Sequence, residues 1–493
     1  TLPSGRGTKP MSNRSRYKRR GTRGWQVLGI FAVVAYVIVQ FIIFQISLSR
    51  LPASWTIGDQ AFPDQTIDEA VTQLESDLRQ PVALKYLTTT LTLEPAALDF
   101  TFDITETARL VQEARMRSSS LTDFLRHLIL QPPATRNIPI VASYSDEKAR
   151  AFLAETASHL DVPPRSPAPQ LDQLTLVPGQ PGHLLNIVDS MPPLEDALKS
   201  AQKRTAELVV DDRAALPPTL EQLQQLLQAR LAAFQGTASV FVKDLQTGEE
   251  LHLNADVPFS GGGVMKLPIV VEIYRKYDLP LDLTTTQRLT SALTTELSNL
   301  PANQLLNQIG DGNTFAGAAT TTASLANLGL RNSYLAQPYD QPITATAGIS
   351  TPANTNSTVN TNASPSIQTT ASDIGLLWEM IDQCSNSGGA LLVVYPNQFS
   401  PIECRQIIEL LRANAPADIP TLLTSGLPAQ AQIAHRPGGN FDTRGDAALV
   451  HSPGGNYILV VFLNTAGQNF DWTVANSVMT DLAKATYNYF NSR

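Results

Sequence analysis

Apolar and polar positions predict a membrane-type helix and a stalk near the start of the chain. Val27–Ile46 is apolar over twenty residues apart from two glutamines. As a helix, such a run spans about one hydrocarbon thickness, so we expect a transmembrane helix over residues 25–47. A juxtamembrane stalk, residues 48–80, follows, and the apolar spacing in Thr66–Leu78 predicts a short helix within it.

Residues 81–214 alternate between strand-like and helical patterns, which predicts a small α+β domain. The predicted strands are Tyr86–Leu93, Leu98–Ile104, Ile138–Tyr144, Leu174–Val177 and Ala206–Asp211. The predicted helices are Thr107–Arg117, Asp146–Leu160 and Leu194–Lys203. The segment contains no clustered His or Cys and no glycine-rich phosphate loop, so its pattern alone indicates only a folded module.

A second folded region is predicted over residues 219–493, beyond a Leu216-Pro217-Pro218 linker. Thr219 can cap a first helix with Gln222 as its capping-box partner, and a hairpin pattern follows. Near the end of the chain, the pattern predicts a pair of closing strands and a long helix. These are Asp446–Val450, Asn456–Leu463 and Trp472–Phe490.

Charge gives the apolar run a direction. Residues 1–23 carry eight Lys/Arg and no acid, whereas the remainder sums to −16. We therefore expect a cytoplasmic tail at residues 1–24, a single-pass helix and an extracytoplasmic body. A cleaved signal peptide and a buried core helix are the alternatives. The acidic body argues against nucleic-acid binding.

The chain has two cysteines, Cys384 and Cys404, both in the part expected outside the cell. In an oxidising compartment such a pair can form a disulfide. No histidine lies near them in sequence, and no histidine pair has metal-ligand spacing on one helix face. The sequence thus predicts no metal site and no cofactor.

The chemistry-bearing segment is Gly263-Val264-Met265-Lys266-Leu267-Pro268, after the hairpin. This region resembles the start of a class A β-lactamase-like domain, in the penicillin-recognising serine-hydrolase family. In that family a Ser-x-x-Lys motif supplies the nucleophile and a lysine that helps take its proton. The resemblance implies that Lys266 is retained and that Gly263 replaces the nucleophile. Ser260 and Ser298 are the candidate replacement serines.

Later segments resemble the family's other motifs in order. Leu297-Ser298-Asn299, ahead of Ala302-Asn303, lies where the family has Ser-Asp-Asn, and Arg436-Pro437-Gly438 where it has Lys-Thr-Gly. Asn299, Arg436 and Gly438 are therefore candidate ligand-binding residues. The stretch between Asp340 and Asp373 has no acid, although class A β-lactamases carry their water-activating glutamate there; we expect a flexible exposed loop over Pro342–Thr370.

The 81–214 segment resembles the peptidoglycan-binding domain found ahead of some cell-wall transpeptidases. Together the resemblances imply an α+β multidomain protein whose C-terminal domain is an α/β/α β-lactamase-like fold with an antiparallel sheet. We expect a cell-wall-associated pseudoenzyme that acts as a binding or scaffold module, with peptidoglycan or a muropeptide as a partner. The alternative is an active serine hydrolase using a shifted serine. The sequence predicts neither an oligomeric state nor the ligand.

Overall fold

The structure is a computed structural model of the chain. It describes residues 22–118, 121–295, 298–343, 348–355, 358–359, 361–413, 422–466 and 470–492. The basic tail up to residue 21, and Leu297 in the second motif, lie outside the described residues.

The secondary structure of the described residues comprises the following elements. The helices are α1 (Thr22–Ser47), α2 (Ile67–Leu78), α3 (Ile104–Ser118), α4 (Leu121–Leu128), α5 (Asp146–Leu160), α6 (Ile187–Leu198), α7 (Leu220–Leu231), α8 (Lys266–Lys276), α9 (Leu283–Thr294), α10 (Leu300–Ile309), α11 (Thr314–Asn327), α12 (Pro352–Thr355), α13 (Ala371–Ser385), α14 (Ala390–Val394), α15 (Pro401–Ala413) and α16 (Trp472–Phe490). The strands are β1 (Trp55–Ile57), β2 (Gln60–Ala61), β3 (Val82–Tyr86), β4 (Thr89–Leu93), β5 (Thr101–Phe102), β6 (Arg136–Ile138), β7 (Ala142–Ser143), β8 (Ala168–Gln170), β9 (Thr175–Val177), β10 (Gly182–Leu185), β11 (Thr205–Glu207), β12 (Val210–Arg213), β13 (Thr237–Asp244), β14 (Glu250–Leu253), β15 (Phe259–Ser260), β16 (Tyr334–Leu335), β17 (Ile367–Thr369), β18 (Gln432–Gly439), β19 (Thr443–His451) and β20 (Tyr457–Asn464).

The chain forms two compact units. The first comprises Thr1–Pro163 and Gly182–Arg213, and the second Pro164–Pro181 and Ala214–Arg493. The second unit thus includes the β8–β9 hairpin, whose Leu174 and Leu176 join a core cluster with α7 and α16. The Asn488 side chain on α16 donates to the Leu174 carbonyl at 2.8 Å.

The first unit contains small sheets and short helices around two apolar clusters. Its three-stranded sheets have the orders β2-β1-β6 and β11-β3-β4. Helix α2 begins as predicted, because Thr66 and Glu69 form a reciprocal capping box. The Thr66 amide donates to Glu69 Oε2 at 2.9 Å, and the Glu69 amide to Thr66 Oγ1 at 3.3 Å.

Several predicted elements of the first unit have different bounds in the structure. The predicted strand Leu98–Ile104 is a 3₁₀ turn, a two-residue strand and the start of α3. Proline explains two further differences. The strand predicted over Ile138–Tyr144 is interrupted after Ile138, where Pro139 has no N–H to donate. Conversely, α6 starts at Ile187 and contains Pro192 and Pro193, so the predicted start at Leu194 is too late.

The second unit is built on a five-stranded antiparallel sheet of order β14-β13-β20-β19-β18. Side chains alternate between its two faces, as strand geometry requires. One face packs against α8 and α13, where Trp378 is fully buried, and the other against α7 and α16. The sheet between two helical layers confirms the predicted α/β/α fold class.

Helix α1 is long and apolar enough to cross a membrane. Its Leu28–Ser47 segment has a mean hydropathy of 2.4 and is almost wholly exposed in the described chain. Length and composition of this kind are shared by membrane-spanning helices and by export signals.

Candidate functional site

The position expected for a nucleophile lies where the chain turns from a strand into a helix. After β15, residues Gly262–Met265 make one 3₁₀ turn, and α8 begins at Lys266. Gly263 is buried inside this turn. A glycine offers no atom for nucleophilic attack, so no acyl-enzyme can form at residue 263.

Lys266 is buried, with 1% of its surface exposed. Its Nζ donates to the Thr295 carbonyl at 3.0 Å and lies 3.5 Å from the Ser298 carbonyl. Both carbonyls belong to the segment between α9 and α10. Through these contacts the lysine ammonium group binds the backbone of that segment.

Arg436 lies beneath the turn on β18 and is fully buried. Its Nε donates to the Gly263 carbonyl at 2.8 Å, and its Nη1 to the Leu293 carbonyl at 2.7 Å. A guanidinium presents its donors in a rigid planar fork, so it can hold two carbonyls from separate elements at once. Arg436 therefore connects the 3₁₀ turn to the end of α9.

The backbone of β18 runs directly against the 3₁₀ turn. A Cβ added to Gly438 would lie 2.4 Å from the Val264 amide nitrogen and 2.5 Å from that of Gly263. A Cβ added to Gly262, whose φ is +48°, would lie 2.7 Å from the Gly439 carbonyl oxygen. Only glycines allow this approach, and it brings the candidate residues Gly263 and Gly438 together.

The sequence analysis missed a tyrosine at this site. Tyr339 is 5% exposed, and its hydroxyl donates to the Gly262 carbonyl at 3.0 Å. Asn303 holds it in place, because the Asn303 side chain donates to the Tyr339 carbonyl at 2.9 Å and accepts from the Tyr339 amide at 3.0 Å. The stretch without Asp or Glu begins directly after Asp340. This departure from the family pattern was the feature of the sequence that could have drawn attention to Tyr339.

The Asn299 side chain is hydrogen-bonded to Asp340, the residue that follows Tyr339. Its side-chain amide donates to Asp340 Oδ1 at 3.0 Å. The segment Tyr339–Asp340 is thus tied to α10 and its N-cap at two points. This bond uses one of the two N–H donors of the Asn299 side-chain amide.

The two candidate serines differ in environment. Ser260 is 4% exposed, and its hydroxyl accepts a hydrogen bond from the Ser364 amide at 2.9 Å. Ser298 is exposed at the N-terminal end of α10. The structure therefore brings Ser260 into the packing of β15 and leaves Ser298 at the surface.

The stretch 342–370 departs from the predicted exposed loop in its described parts. It contains α12 and β17, and Thr351, Thr361 and Gln368 are buried. Gln368 explains part of this order, since its side chain donates to the Asn332 carbonyl at 2.9 Å and to Thr351 Oγ1 at 3.1 Å. Thr/Ser/Asn-rich composition did not distinguish a hydrogen-bonded core segment from a mobile one.

A buried carboxyl stands at the start of α13. Asp373 accepts from the Asn332 amide at 2.9 Å and from the Ser333 hydroxyl at 2.8 Å. Burial raises the pKa of Asp373 to about 6, against the opposing effect of these hydrogen bonds.

A buried histidine and a buried aspartate pair between β18 and β19, with the histidine next to Arg436 in sequence. His435 Nδ1 lies 3.1 Å from both carboxylate oxygens of Asp446, and both residues are buried. In the described part of the chain, no three His, Cys, Asp or Glu side chains are grouped so that they could hold a metal ion. Cys384 and Cys404 are joined as a disulfide between α13 and α15.

A family model described as "Beta-lactamase enzyme family" matches residues 221–490, more than half of the chain. The chain belongs to the β-lactamase enzyme family. A second model, described as "Putative peptidoglycan binding domain", matches residues 91–207. A peptidoglycan-binding-like domain therefore precedes the β-lactamase-like domain, as the resemblances implied.

Three solved structures similar to this β-lactamase family member have low sequence identity to it. The structure of PBP-A is 19% identical, covers 56% of this chain and 99% of its own, and has a TM-score of 0.43. An ancestral class A β-lactamase is 19% identical, with coverages of 54% and 98% and a TM-score of 0.39. A β-lactamase from Xanthomonas campestris pv. campestris is 18% identical, with coverages of 54% and 98% and a TM-score of 0.40. No curated protein matches the chain significantly.

Proposed function

We propose that this protein is a membrane-anchored, extracytoplasmic member of the β-lactamase family that associates with the cell wall without catalysing hydrolysis. In this proposal the peptidoglycan-binding-like domain contacts the wall, and the β-lactamase-like domain serves as a non-covalent binding or scaffold module. The observation that carries the proposal is the glycine at the position of the nucleophile.

The surroundings of Gly263 support the loss of catalysis. Its carbonyl is held by the buried Arg436, and its amide lies against the backbone of Gly438. The Tyr339 hydroxyl is bonded to the preceding carbonyl, that of Gly262. Residue 263 has no hydroxyl, and the carbonyls of Gly262 and Gly263 are held by contacts within the protein.

The shifted-serine alternative lacks comparable support. A nucleophilic hydroxyl needs a base within hydrogen-bond reach and an open approach for the substrate. Ser260 is buried and its hydroxyl oxygen is engaged with the Ser364 amide. The Lys266 Nζ donates to the Thr295 carbonyl and lies 3.5 Å from the Ser298 carbonyl, so the backbone of this segment engages it.

Three features support anchoring and export. Helix α1 has the length and hydropathy of a membrane span. The eight Lys/Arg of residues 1–23 precede its apolar span, Leu28–Ser47, which favours a cytoplasmic N-terminus. The Cys384–Cys404 disulfide is of the kind that persists in oxidising compartments.

The test is binding to cell wall without release of products. The full-length protein in detergent is incubated with insoluble peptidoglycan and sedimented, and the supernatant is analysed for soluble muropeptides by chromatography. We expect the protein in the pellet and no muropeptide above the level of a protein-free sample. Protein that stays in the supernatant would contradict wall binding, and released muropeptides would contradict the non-catalytic assignment.

A further inference from the structure

A short helix missed by the sequence analysis lies against the exit end of α1. The Phe124 ring of α4 lies 5.4 Å from those of Phe41 and Phe44, between ring centroids. The His127 ring lies 5.5 Å from that of Phe44. Helix α4 is therefore packed beside the last two turns of α1, within the same compact unit.

The apolar side chains of α4 form one stripe along the helix. At 100° per residue, Leu121, Phe124, Leu125 and Leu128 lie within about 100° of one another, whereas Thr122 and Arg126 lie outside that arc. Only one edge of the stripe meets α1. Leu121 is 74% exposed and Leu125 53% exposed.

The exposed apolar surface continues beyond the helix. Ile129 is 65% exposed and Leu130 83% exposed, so four large aliphatic side chains are exposed within ten residues of the chain. Soluble helices place such a stripe toward their core. In α4, the polar Asp123 and His127 instead line a cavity together with Trp55 and Arg115 of the protein body.

Helix geometry gives the depth at which α4 meets α1. Phe44 and Phe41 lie three and six residues before the last residue of α1, Ser47. At 1.5 Å per residue, they are about 5 Å and 9 Å below the end of the helix. Interfacial amphipathic helices bury their apolar faces by about 5–10 Å, which is the same range.

Basic side chains surround this junction. Arg50, Arg115 and Arg126 line the cavity between the end of α1 and α4. At the depth derived above, they would stand at the level of lipid headgroups, where Lys and Arg interact favourably with phosphate.

We propose that α4 and the adjoining Ile129–Leu130 lie in the outer leaflet of the bilayer and form a second, interfacial membrane contact beside α1. The inference rests on the proposed function, because it requires α1 to be a membrane span. The lipid surface is the partner whose chemistry fits an apolar stripe bordered by arginines at the end of a transmembrane helix.

Depth-dependent fluorescence quenching tests this contact. The native cysteines are joined in a disulfide, so single cysteines can be introduced into the full-length chain and labelled with an environment-sensitive dye without reductant. The variants are Leu125→Cys on α4, Ile38→Cys within α1, and Val188→Cys, which is exposed on α6 of the same unit. Each is reconstituted into phospholipid vesicles that contain lipids with a nitroxide either near the headgroup or deep in the acyl chain.

The proposal expects the Leu125→Cys label to be quenched by shallow nitroxides several-fold more than the Val188→Cys label, and the Ile38→Cys label to be quenched by deep nitroxides. If Leu125→Cys behaves like Val188→Cys while Ile38→Cys is quenched, the anchor stands and the interfacial contact is wrong. If Ile38→Cys is not quenched either, the anchor fails and the interfacial contact fails with it. Quenching of Leu125→Cys by deep nitroxides only would also overturn an interfacial position.

Discussion

At the scale of single residues, Arg436 holds the turn that contains Gly263. Its guanidinium has no surface exposure and donates to two carbonyls on separate elements. Arg436 was predicted as a candidate ligand-binding residue. That role stays a prediction. A ligand would have to reach a fully buried side chain that lies between β18 and the 3₁₀ turn.

Arg436→Met is expected to destabilise the second unit. Methionine fills much of the space but donates no hydrogen bond, so the carbonyls of Gly263 and Leu293 each lose a charged donor. Two lost hydrogen bonds to a charged group correspond to roughly 3 kcal/mol of unfolding free energy. Urea denaturation followed by tryptophan fluorescence measures this, since Trp378 is buried in that unit.

The matched control for Arg436 is Arg331→Met, which alters an exposed arginine of the same unit. Substitutions at exposed positions change unfolding free energies by about 0.5 kcal/mol or less. Equal stability of the Arg436 and Arg331 variants would show that the guanidinium does not hold the turn.

Asp373 gives the second unit a pH dependence. Its folded-state pKa is raised to about 6 from 3.8 by burial. The folded state therefore holds this proton more tightly than the unfolded state, and stability falls as pH rises from about 4 through about 6. Above that window, the loss amounts to roughly 3 kcal/mol.

Asp373→Asn should remove this component. Unfolding free energies of the wild type and the variant are compared from pH 4 to pH 7.5, and we expect their difference to grow in favour of the variant across that window. The exposed Asp278→Asn is the control. A constant difference between wild type and Asp373→Asn across the pH range would contradict the raised pKa.

At the scale of elements, the second unit was more predictable than the first. Strand β20 follows from a continuous apolar run and helix α16 from long apolar periodicity, and the sequence prediction of α16 matches Trp472–Phe490. In the first unit the strands have two to five residues. Patterns that short carry little periodicity, and their pairing depends on contacts distant in sequence.

The site was predictable where the chemistry depends on one residue type. Gly263 excludes a nucleophile whatever its surroundings. The hydrogen bonds from Arg436 and Tyr339 to the carbonyls of Gly263 and Gly262 were not predictable. They depend on which face of a strand or loop meets the 3₁₀ turn. Helix α4 was missed because its apolar stripe is only eight residues long.

The disulfide between α13 and α15 should account for a measurable part of the stability of the second unit. Its loop has a sequence separation of 20, for which loop closure predicts about 3 kcal/mol. We expect the double variant Cys384→Ala/Cys404→Ala to unfold at a correspondingly lower urea concentration.

Reductant provides the control for this variant. Wild-type protein unfolded in dithiothreitol should approach the stability of the double variant, and the variant itself should not respond to dithiothreitol. A wild type whose unfolding midpoint is unaffected by reductant would mean that the two cysteines are not joined in solution.

At the scale of the whole molecule, one chain contains a peptidoglycan-binding-like domain, a β-lactamase-family domain and a helix long and apolar enough to cross a membrane. Each part has a separate physical role in the proposal: α1 anchors, the first unit contacts the wall, and the second unit presents a closed former active site. Family membership alone does not decide activity, so the proposed lack of hydrolysis rests on the residues of the site.

Intact-mass spectrometry after exposure to penicillin tests whether this protein can form an acyl-enzyme. The full-length protein in detergent is incubated with excess benzylpenicillin, and its mass is compared with that of the untreated protein. We expect an unchanged mass, because residue 263 has no hydroxyl and the turn around it is enclosed by Arg436, Gly438 and Tyr339. A stoichiometric increase by one penicillin, mapped to Ser260 or Ser298, would contradict it.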